Sequence, residues 1–495
     1  MTHAATYVDS DILRTRFAMA MSSMYQAEVP LYGDLSEIVR NVNMQALQRC
    51  NDNSPPGDAA AILASSRRLF LERHGAIRLG TAYELRTVKR IFAILGMHPI
   101  GYYDLSIAGL PMHATCFRPI ALSSLNRNPF RVFTTLLRPE LLASEEARRL
   151  SMQLLDKRQI FSDALIQILA AAELQGGRLT EDQSKTFILE ALSTFSWQPI
   201  AAATFDEYKI LKAEHPILAD IASFQSAHIN HLTPRTLDIT AAHSAMKAAG
   251  MAVKAHIEGP PARDCPILLR QTSFLALDET VHFKGSTTQS LGMLAKASHK
   301  ARFGEIEQRG AAVTPKGQAL YDTLLRESQD KSARVSREEA DAITVEVFKR
   351  YPDTWTELRR QGLIYCEFRV LRSGRPRSPL NRDEGTGSLL ETLIAEGVLE
   401  ALPLTYEDFL PFSAAGIFQS NLQTTNQFTE LLGLNDSLPD QEGFERALGM
   451  MTLDLDQWYS AVQHQSLATV SNDLGLSMEE LMTEPSVRVS SSSTA

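Results

Sequence analysis

Two histidines, each four residues before an arginine, are the side chains whose types and spacing most suggest chemistry. His74 and Arg78 lie in RHGAIRLG, and His231 and Arg235 lie in INHLTPR. On an extended strand, residues two and four apart share one face, so each histidine points the same way as its arginine. If both strands face one cavity, two imidazoles and two guanidiniums enter it.

A carboxylate that could complete a metal site lies in ARFGEIEQRG, where Glu305 and Glu307 share a face of a predicted strand. Two histidines and one carboxylate form the triad that binds Fe(II) and leaves positions open for a 2-oxo acid and O2. Spacing alone does not choose between the two glutamates, and such residues are also common as ordinary core or surface groups. His228, on the strand face opposite to His231, is the weaker alternative ligand.

Composition and missing motifs narrow the class of protein. The 495 residues are 44% hydrophobic and 22% charged, which is typical of a folded enzyme with the mass of about three domains. A net charge of −9 disfavours nucleic acid as a partner, because such partners are attracted by basic surfaces. The sequence contains no GxGxxG, GxxxxGK[ST], HExxH or GxSxG motif, so attention moves to the histidines and carboxylates.

The cysteines and the N-terminus bear on the compartment. The 4 cysteines are far apart in the chain and form no CxxC pair, so neither a disulfide framework nor a cysteine zinc site is predicted. No apolar run approaches the length of a membrane helix, about 18 residues, and no secretory signal is visible. We therefore expect a cytoplasmic protein with no membrane partner, whose oligomeric state the sequence does not indicate.

The segments that follow the two histidines are similar, which predicts an internal duplication. Each histidine strand leads into a helix that ends in Gly-Met, at Gly96-Met97 and Gly250-Met251, and a further strand follows, in the second case MAVKAHIEG. More strand-like segments come after each, namely ATCFRPIAL and FRVFTTLL in the first, and PILLRQTSFLAL, TVHFKG and ARFGEIEQR in the second. Two unrelated βα hairpins are the alternative interpretation.

These patterns predict an α+β fold in which two β-α-β-β-β modules form a curved mixed sheet around a metal site, with large helical insertions. N-terminal helices are expected over residues 1–72, the first module over 73–138, and a helical insertion over 139–226. The second module is expected over 227–318. A mostly helical C-terminal region that closes the site would occupy 319–495, with a disordered tail from about residue 486.

Four segments together resemble the 2-oxoadipate dioxygenase/decarboxylase family, also called hydroxyglutarate synthases. They are RHGAIRLGTAYELRTVKRIFAILGMHPIGYYDL, INHLTPRTLDI, ARFGEIEQRGAAVTPKG and LPFSAAGIFQSNL, and the resemblance covers nearly the whole chain. It implies a vicinal-oxygen-chelate-like fold and an Fe(II) cofactor held by His74 and His231. EIEQR also resembles a strand of the related hydroxyphenylpyruvate dioxygenases, which implies Glu305 as the third ligand and leaves Glu307 as a group beside the ligands or a rival.

The resemblance also implies which residues bind substrate. These are the surroundings of His74 and His231, the Arg78 side chain, and the backbone near Phe412 or Ser413, although Phe412 is bulkier than the residue expected there. Independently of the family, Arg78 lies about 13 Å along a strand from His74, a span that an arginine and a six-carbon diacid bridge together. The guanidinium fork suits a carboxylate. A structural salt bridge is the alternative for Arg78 and for Arg235.

The implied function is Fe(II)-dependent conversion of 2-oxoadipate and O2 to 2-hydroxyglutarate and CO2, as a step of lysine breakdown. One alternative is a vicinal-oxygen-chelate isomerase or lyase with a redox-inert divalent metal, which would take up no O2. Another is a mostly helical binding protein in which the histidines and glutamates are structural. The repeated H-x-x-x-R pattern argues against that last reading.

Overall fold

The structure is a computed structural model that describes residues 6–53, 67–283, 295–300, 302–332, 334–371, 388–410 and 438–482. The chain packs into two compact units, each built from separate stretches. The first unit comprises Met1–Gly259, Leu269–Gln308 and Asp408–Leu453, and the second comprises Pro260–Leu268, Arg309–Glu407 and Asp454–Ala495. The expected five-part division along the chain stays a prediction, and the tail from about residue 486 lies outside the described residues.

Most of the described residues outside the strands are helical. The helices are α1 (Ser10–Glu28), α2 (Pro30–Asn53), α3 (Ala82–Ile94), α4 (Leu122–Arg127), α5 (Glu145–Asp156), α6 (Asp163–Leu174), α7 (Glu181–Phe195), α8 (Phe205–Glu214), α9 (Pro216–Ser223), α10 (Ile239–Ala248), α11 (Pro315–Ser332), α12 (Arg337–Phe348), α13 (Trp355–Arg360), α14 (Leu389–Ala395), α15 (Gln441–Leu448), α16 (Leu455–Leu474) and α17 (Met478–Met482). Short 3-10 turns lie at Ser106–Ala108 and Pro139–Leu141.

The strands in the described ranges form three sheets. They are β1 (Arg73–Leu79), β2 (His98–Asp104), β3 (Met112–Arg118), β4 (Arg131–Leu137), β5 (Ile200–Ala201), β6 (His231–Pro234), β7 (Leu269–Ser273), β8 (Asp278–Phe283), β9 (Ala295–Lys300), β10 (Phe303–Arg309), β11 (Cys366–Val370) and β12 (Leu399–Pro403). The largest sheet has seven strands in the order β2-β3-β4-β1-β6-β10-β7. It is mixed, since β1 runs parallel to β4 and antiparallel to β6. This confirms the α+β class.

Alternation along β1 separates a site face from a core face. Ile77 and Leu79 belong to the hydrophobic core, together with Phe17 of α1, Leu35 of α2 and Val88 of α3. The residues that alternate with this face, His74, Ala76 and Arg78, are buried but lie outside that core cluster. Because successive side chains of a strand point to opposite faces, the helices cover one face of the sheet and the histidine face remains for polar groups.

The first predicted module is present as a continuous run. After β1, Thr81 caps α3 in a capping box with Glu84. The helix ends at Ile94, and Gly96, just beyond the C-cap, has a φ of 67°. A left-handed φ at that position is what a glycine C-cap provides. Then β2, β3 and β4 add to the sheet in an antiparallel meander, and β4 returns to pair with β1.

The second module departs from the expectation in two places. Strand β6 and helix α10 follow the predicted order, and Gly250 has a φ of 77° like its counterpart Gly96. The predicted strand MAVKAHIEG is wrong, because only Val253 and Glu258 form isolated bridges, to Phe274 and Gln271. The chain bends at residues 255–256 between the two bridges, and Nζ of Lys254 pairs across this interruption with Oε1 of Glu258 at 2.9 Å.

The TVHFKG segment also lies elsewhere than expected. Its strand, β8, joins β5 and β9 in a separate three-stranded sheet instead of extending the main one. Strand β9 itself was not expected from the sequence. The described part of the second unit is mostly helical, with β11 and β12 paired as a two-stranded antiparallel sheet, and α12 begins at the expected capping box of Ser336 and Glu339. No helix in the described part of the chain is long and apolar enough to cross a membrane.

Candidate metal centre

Strand register brings the two predicted histidines together. Strands β1 and β6 pair antiparallel with Ala76 opposite His231 and His74 opposite Thr233, so both imidazoles lie on the same face of neighbouring strands. Strand β10 runs parallel to β6 with Phe303 opposite His231, which places Glu305 two residues further along on that face. Three segments far apart in the chain thus converge at the middle of the sheet.

His74, His231 and Glu305 form the metal-compatible cluster found among the described residues. One ligand atom from each lies within 4.8 Å of the others, and all three side chains are buried. The Nε2 atom of His74 lies 3.1 Å from Oε2 of Glu305, and Nε2 of His231 lies 3.8 Å from the same oxygen. Ligands at right angles around an octahedral ion are about 3 Å apart, so this spacing is of the right size for a metal.

One buried atom of this cluster also fits a bound metal. Among the described residues, Oε1 of Glu305 has no hydrogen-bond partner. A buried polar atom without a partner costs free energy, and an ion bound between imidazole and carboxylate groups is a common way to remove that cost. The residues present therefore fit a divalent metal.

Glu305 is held in place by two donors that the sequence analysis did not single out. The Thr233 hydroxyl and the Gln271 amide each donate to Oε2 of Glu305 at 3.0 Å. Thr233 could have been found, because it shares the face of His231 in the H-x-T-x-R alternation. Gln271 lies on β7, which pairs with β10, and nothing in the sequence pattern pointed to it.

Glu307 lies on the other side of the His74 ring, at 2.9 Å from Nδ1. Burial lowers the pKa of His74, but the carboxylates of Glu307 and Glu305 oppose it and leave the pKa raised. A histidine whose second nitrogen faces a carboxylate is the usual arrangement in metal sites, where that contact fixes the ring. The geometry thus gives the two glutamates different positions around His74.

The pKa values of the two histidines are shifted in opposite directions. Burial comes first in lowering the pKa of His231 well below its usual value, and the positive charges of His74 and Arg78 lower it further. A neutral imidazole is the form that binds a metal. The rings of His74 and His231 are 5.4 Å apart, and Phe409 and Phe303 pack on them at 4.9 Å and 4.8 Å respectively.

The remaining predicted site residues lie in different environments. Arg78 is buried on the His74 face of β1 and donates through Nη1 to Asp220 of α9 at 2.5 Å, so it does form an ion pair. Arg235 pairs with the buried Glu72 at 3.0 Å. His228 lies 3.1 Å from Asp220 and is not part of the metal-compatible cluster. Phe412 and Ser413 lie outside the described residues.

Comparisons with known proteins point to one family. The family model described as 2-oxoadipate dioxygenase/decarboxylase matches residues 17–421. The 2-oxoadipate dioxygenase/decarboxylase of Escherichia coli K12 is 45% identical over 463 residues, which cover 93% of this chain and 98% of that protein. The Pseudomonas putida protein of the same name is 44% identical over 477 residues, covering 96% of this chain and 99% of that one.

A solved structure is similar over the same extent. The crystal structure of the hydroxyglutarate synthase from Pseudomonas putida in complex with 2-oxoadipate superposes with a TM-score of 0.81 at 42% identity. The match covers 96% of this chain and 100% of that chain. The similarity therefore extends across both compact units.

Proposed function

This chain belongs to the 2-oxoadipate dioxygenase/decarboxylase family, and from that premise we propose that it converts 2-oxoadipate and O2 to 2-hydroxyglutarate and CO2, using Fe(II) bound by His74, His231 and Glu305. In the cell we place this reaction in lysine breakdown. The observation that carries the proposal is the buried cluster of two imidazoles and one carboxylate, with ligand atoms within 4.8 Å of one another.

The metal would supply the reactivity with O2 that the side chains lack. Fe(II) held by two histidines and one carboxylate keeps open coordination positions and provides the reaction with O2, which amino-acid side chains do not carry out. The relatives' names specify a dioxygenase and decarboxylase, a chemistry that such a centre can supply.

The chain's own residues would bind the metal and hold its ligands in the right orientation. Glu307 holds the His74 ring through Nδ1, while Thr233 and Gln271 fix one oxygen of Glu305, so the ligands are aligned before the metal arrives. Phe409 and Phe303 pack against the two imidazoles and exclude water from this side of the site.

The length of the substrate would be selected by a positive charge held at a fixed distance from the metal. We propose that Arg78 binds the carboxylate of 2-oxoadipate that is far from the metal, since it is buried and four residues along β1 from His74. The backbone at Phe412 or Ser413 is proposed as a further contact. The substrate of the Pseudomonas putida structure, 2-oxoadipate, has the two carboxylates that this arrangement needs.

Anaerobic purification followed by metal analysis and oxygen-electrode assays with a panel of 2-oxo acids tests the proposal. We expect one Fe(II) per chain to restore activity, and 2-oxoadipate to consume O2 and release CO2 in equal amounts. His74→Ala, His231→Ala and Glu305→Ala should each lose the metal while remaining folded by circular dichroism. A metal-loaded protein that transforms 2-oxo acids without O2 uptake would instead be an isomerase or lyase.

A further inference from the structure

The helical insertion contributes a carboxylate directly to Arg78. Helix α9 (Pro216–Ser223) carries Asp220, whose Oδ2 accepts from Nη1 of Arg78 at 2.5 Å. Both side chains are almost fully buried, with relative exposures of 3% and 2%. Asp220 lies in none of the segments from which the sequence analysis took its candidates.

Asp220 is itself anchored from the opposite side. Its Oδ1 lies 2.9 Å from Nε2 of His299 on β9 and 3.1 Å from Nε2 of His228. The hydroxyl of Tyr208 lies 3.0 Å from the other nitrogen of His299, and the indole of Trp197 stacks on the His299 ring. With both oxygens contacted, this carboxylate has little freedom to turn.

The charge state of Asp220 supports a persistent ion pair with Arg78. Burial tends to raise the pKa of Asp220, but the charges of His228 and Arg78 outweigh it and hold the pKa well below the usual value. Asp220 is thus an anion, and its partner is an always-charged guanidinium. A buried ion pair is weak evidence for stability, because the cost of desolvating the two charges can exceed their attraction. This pair therefore suggests a functional role.

Arginine can serve two carboxylates at once. Its guanidinium has five N–H donors in a rigid plane, so one carboxylate on Nη1 orients the plane while another edge meets a second acid. Arg78 would otherwise be a long side chain with several rotatable bonds. Ordering such a side chain at the moment of binding costs affinity, and a guanidinium that is already fixed avoids that cost.

We infer that Asp220 is a positioning residue that fixes the guanidinium of Arg78 for the distal carboxylate of the substrate, which makes the helical insertion part of substrate selection. The inference rests on the proposed function. It deepens that function by naming the residue behind the specificity for dicarboxylic 2-oxo acids. Asp220 itself touches neither the metal ligands nor, on this assignment, the substrate.

Steady-state kinetics of Asp220→Asn test the inference. With Fe(II) content equalised, we expect KM for 2-oxoadipate to rise about 10-fold or more while kcat stays within about 3-fold. The monocarboxylate 2-oxohexanoate has no distal charge, so its KM should stay within about 2-fold of wild type. Anaerobic calorimetry with 2-oxoadipate should show the same loss of affinity without turnover.

Asp11→Asn is a matched control. Asp11 forms a buried ion pair with Arg14 in α1 at 2.8 Å, and Arg14 keeps its bonds to the carbonyls of Leu95 and Asn128. The substitution breaks an ion pair of the same kind without touching Arg78. We expect unchanged KM values for both substrates.

Asp220→Glu covers the case in which Asp220→Asn does not fold. It keeps the charge but lengthens the side chain by one methylene, which displaces the guanidinium and should raise KM for 2-oxoadipate selectively. Folded variants that keep the wild-type KM, or that lose both substrates equally, would overturn the inference. If wild-type protein neither binds nor consumes 2-oxoadipate, the proposed function fails instead, a result visible before any variant is made.

Discussion

The two glutamates near His74 occupy different positions in the structure, although the sequence alone does not distinguish them. Glu305 and Glu307 share a strand face in EIEQR, and spacing did not choose between them. The structure puts Glu305 in the cluster with both histidines and puts Glu307 against the outer nitrogen of His74. A carboxylate in that outer position orients the ligand and raises its basicity.

Glu307→Gln should therefore weaken metal binding without abolishing it. We expect the Kd for Fe(II) to rise roughly 10- to 100-fold, with appreciable activity restored at saturating Fe(II). Anaerobic metal titration monitored by calorimetry provides the measurement. Glu305→Gln is the comparison, and if it is the milder of the two, the assignment of the glutamates must be exchanged.

Arg78→Lys addresses the proposed clamp for the distal carboxylate. Lysine keeps the charge but loses the planar fork, so kcat/KM for 2-oxoadipate should fall roughly 10- to 150-fold, or about 1.5–3 kcal/mol. Turnover of 2-oxohexanoate, which we expect to be poor in the wild type, should change little. Equal losses for both acids would assign Arg78 to structure or to the metal-bound end of the substrate, and Arg235 would become the next candidate.

At the level of elements, helix α9 has an N-cap that is sensitive to pH. His215 caps this helix by accepting the backbone N–H of Ile217 at Nδ1, which requires a neutral ring. Burial, and then the charge of Arg78, lower the pKa of His215 to about 4. The ring is thus neutral in the folded protein at pH values where the unfolded chain takes up a proton.

This difference predicts acid destabilisation between pH 6.5 and about 4. In that window the unfolded state binds more protons than the folded state, so stability falls as the pH falls and levels off below about 4. The full contribution of His215 is about 3 kcal/mol. Asparagine is also a good N-cap, so His215→Asn should unfold in urea with a weaker pH dependence than wild type. Parallel pH profiles for the two proteins would count against this assignment.

Elements that follow from short-range sequence patterns could be predicted, whereas elements that depend on partners far along the chain could not. The helix at Ala82–Ile94, the strand with His74 and the capping box at Ser336 follow from short-range patterns, and all are present. The strand predicted over MAVKAHIEG fails because its pairing depends on partners near Gln271 and Phe274, which no local pattern contains. For the same reason the sequence yields His74 and His231 but neither Gln271 nor Asp220.

At the scale of the whole molecule, the proposed metal centre would couple metal binding to folding. The ligands come from three strands of one sheet, so an ion that binds them binds only the folded state. Such a ligand stabilises by RT ln(1 + [L]/Kd), about 2.7 kcal/mol at a concentration 100 times Kd. Metal loading should thus be visible in thermal unfolding.

We expect Tm to rise steadily with added Fe(II) under anaerobic conditions, and to keep rising with the logarithm of the metal concentration once that concentration exceeds Kd. Differential scanning fluorimetry of the metal-stripped protein measures this directly. His231→Ala should show no such rise, since it lacks a ligand. A rise of equal size in that variant would place the stabilising metal elsewhere in the chain.

The convergence of β1, β6 and β10 also constrains how the protein is made. His74 and Glu305 are separated by 231 residues, so ribosomes adding about 5–20 residues per second take roughly 10–50 seconds to complete the pair. For the part of that time before residues 231–234 are made, β1 has left the ribosome with its β4 partner but without β6, and its other edge can pair with strands of other chains. Nascent chains are accordingly at greatest risk of aggregation before β6 emerges, and slower synthesis would lengthen the exposure.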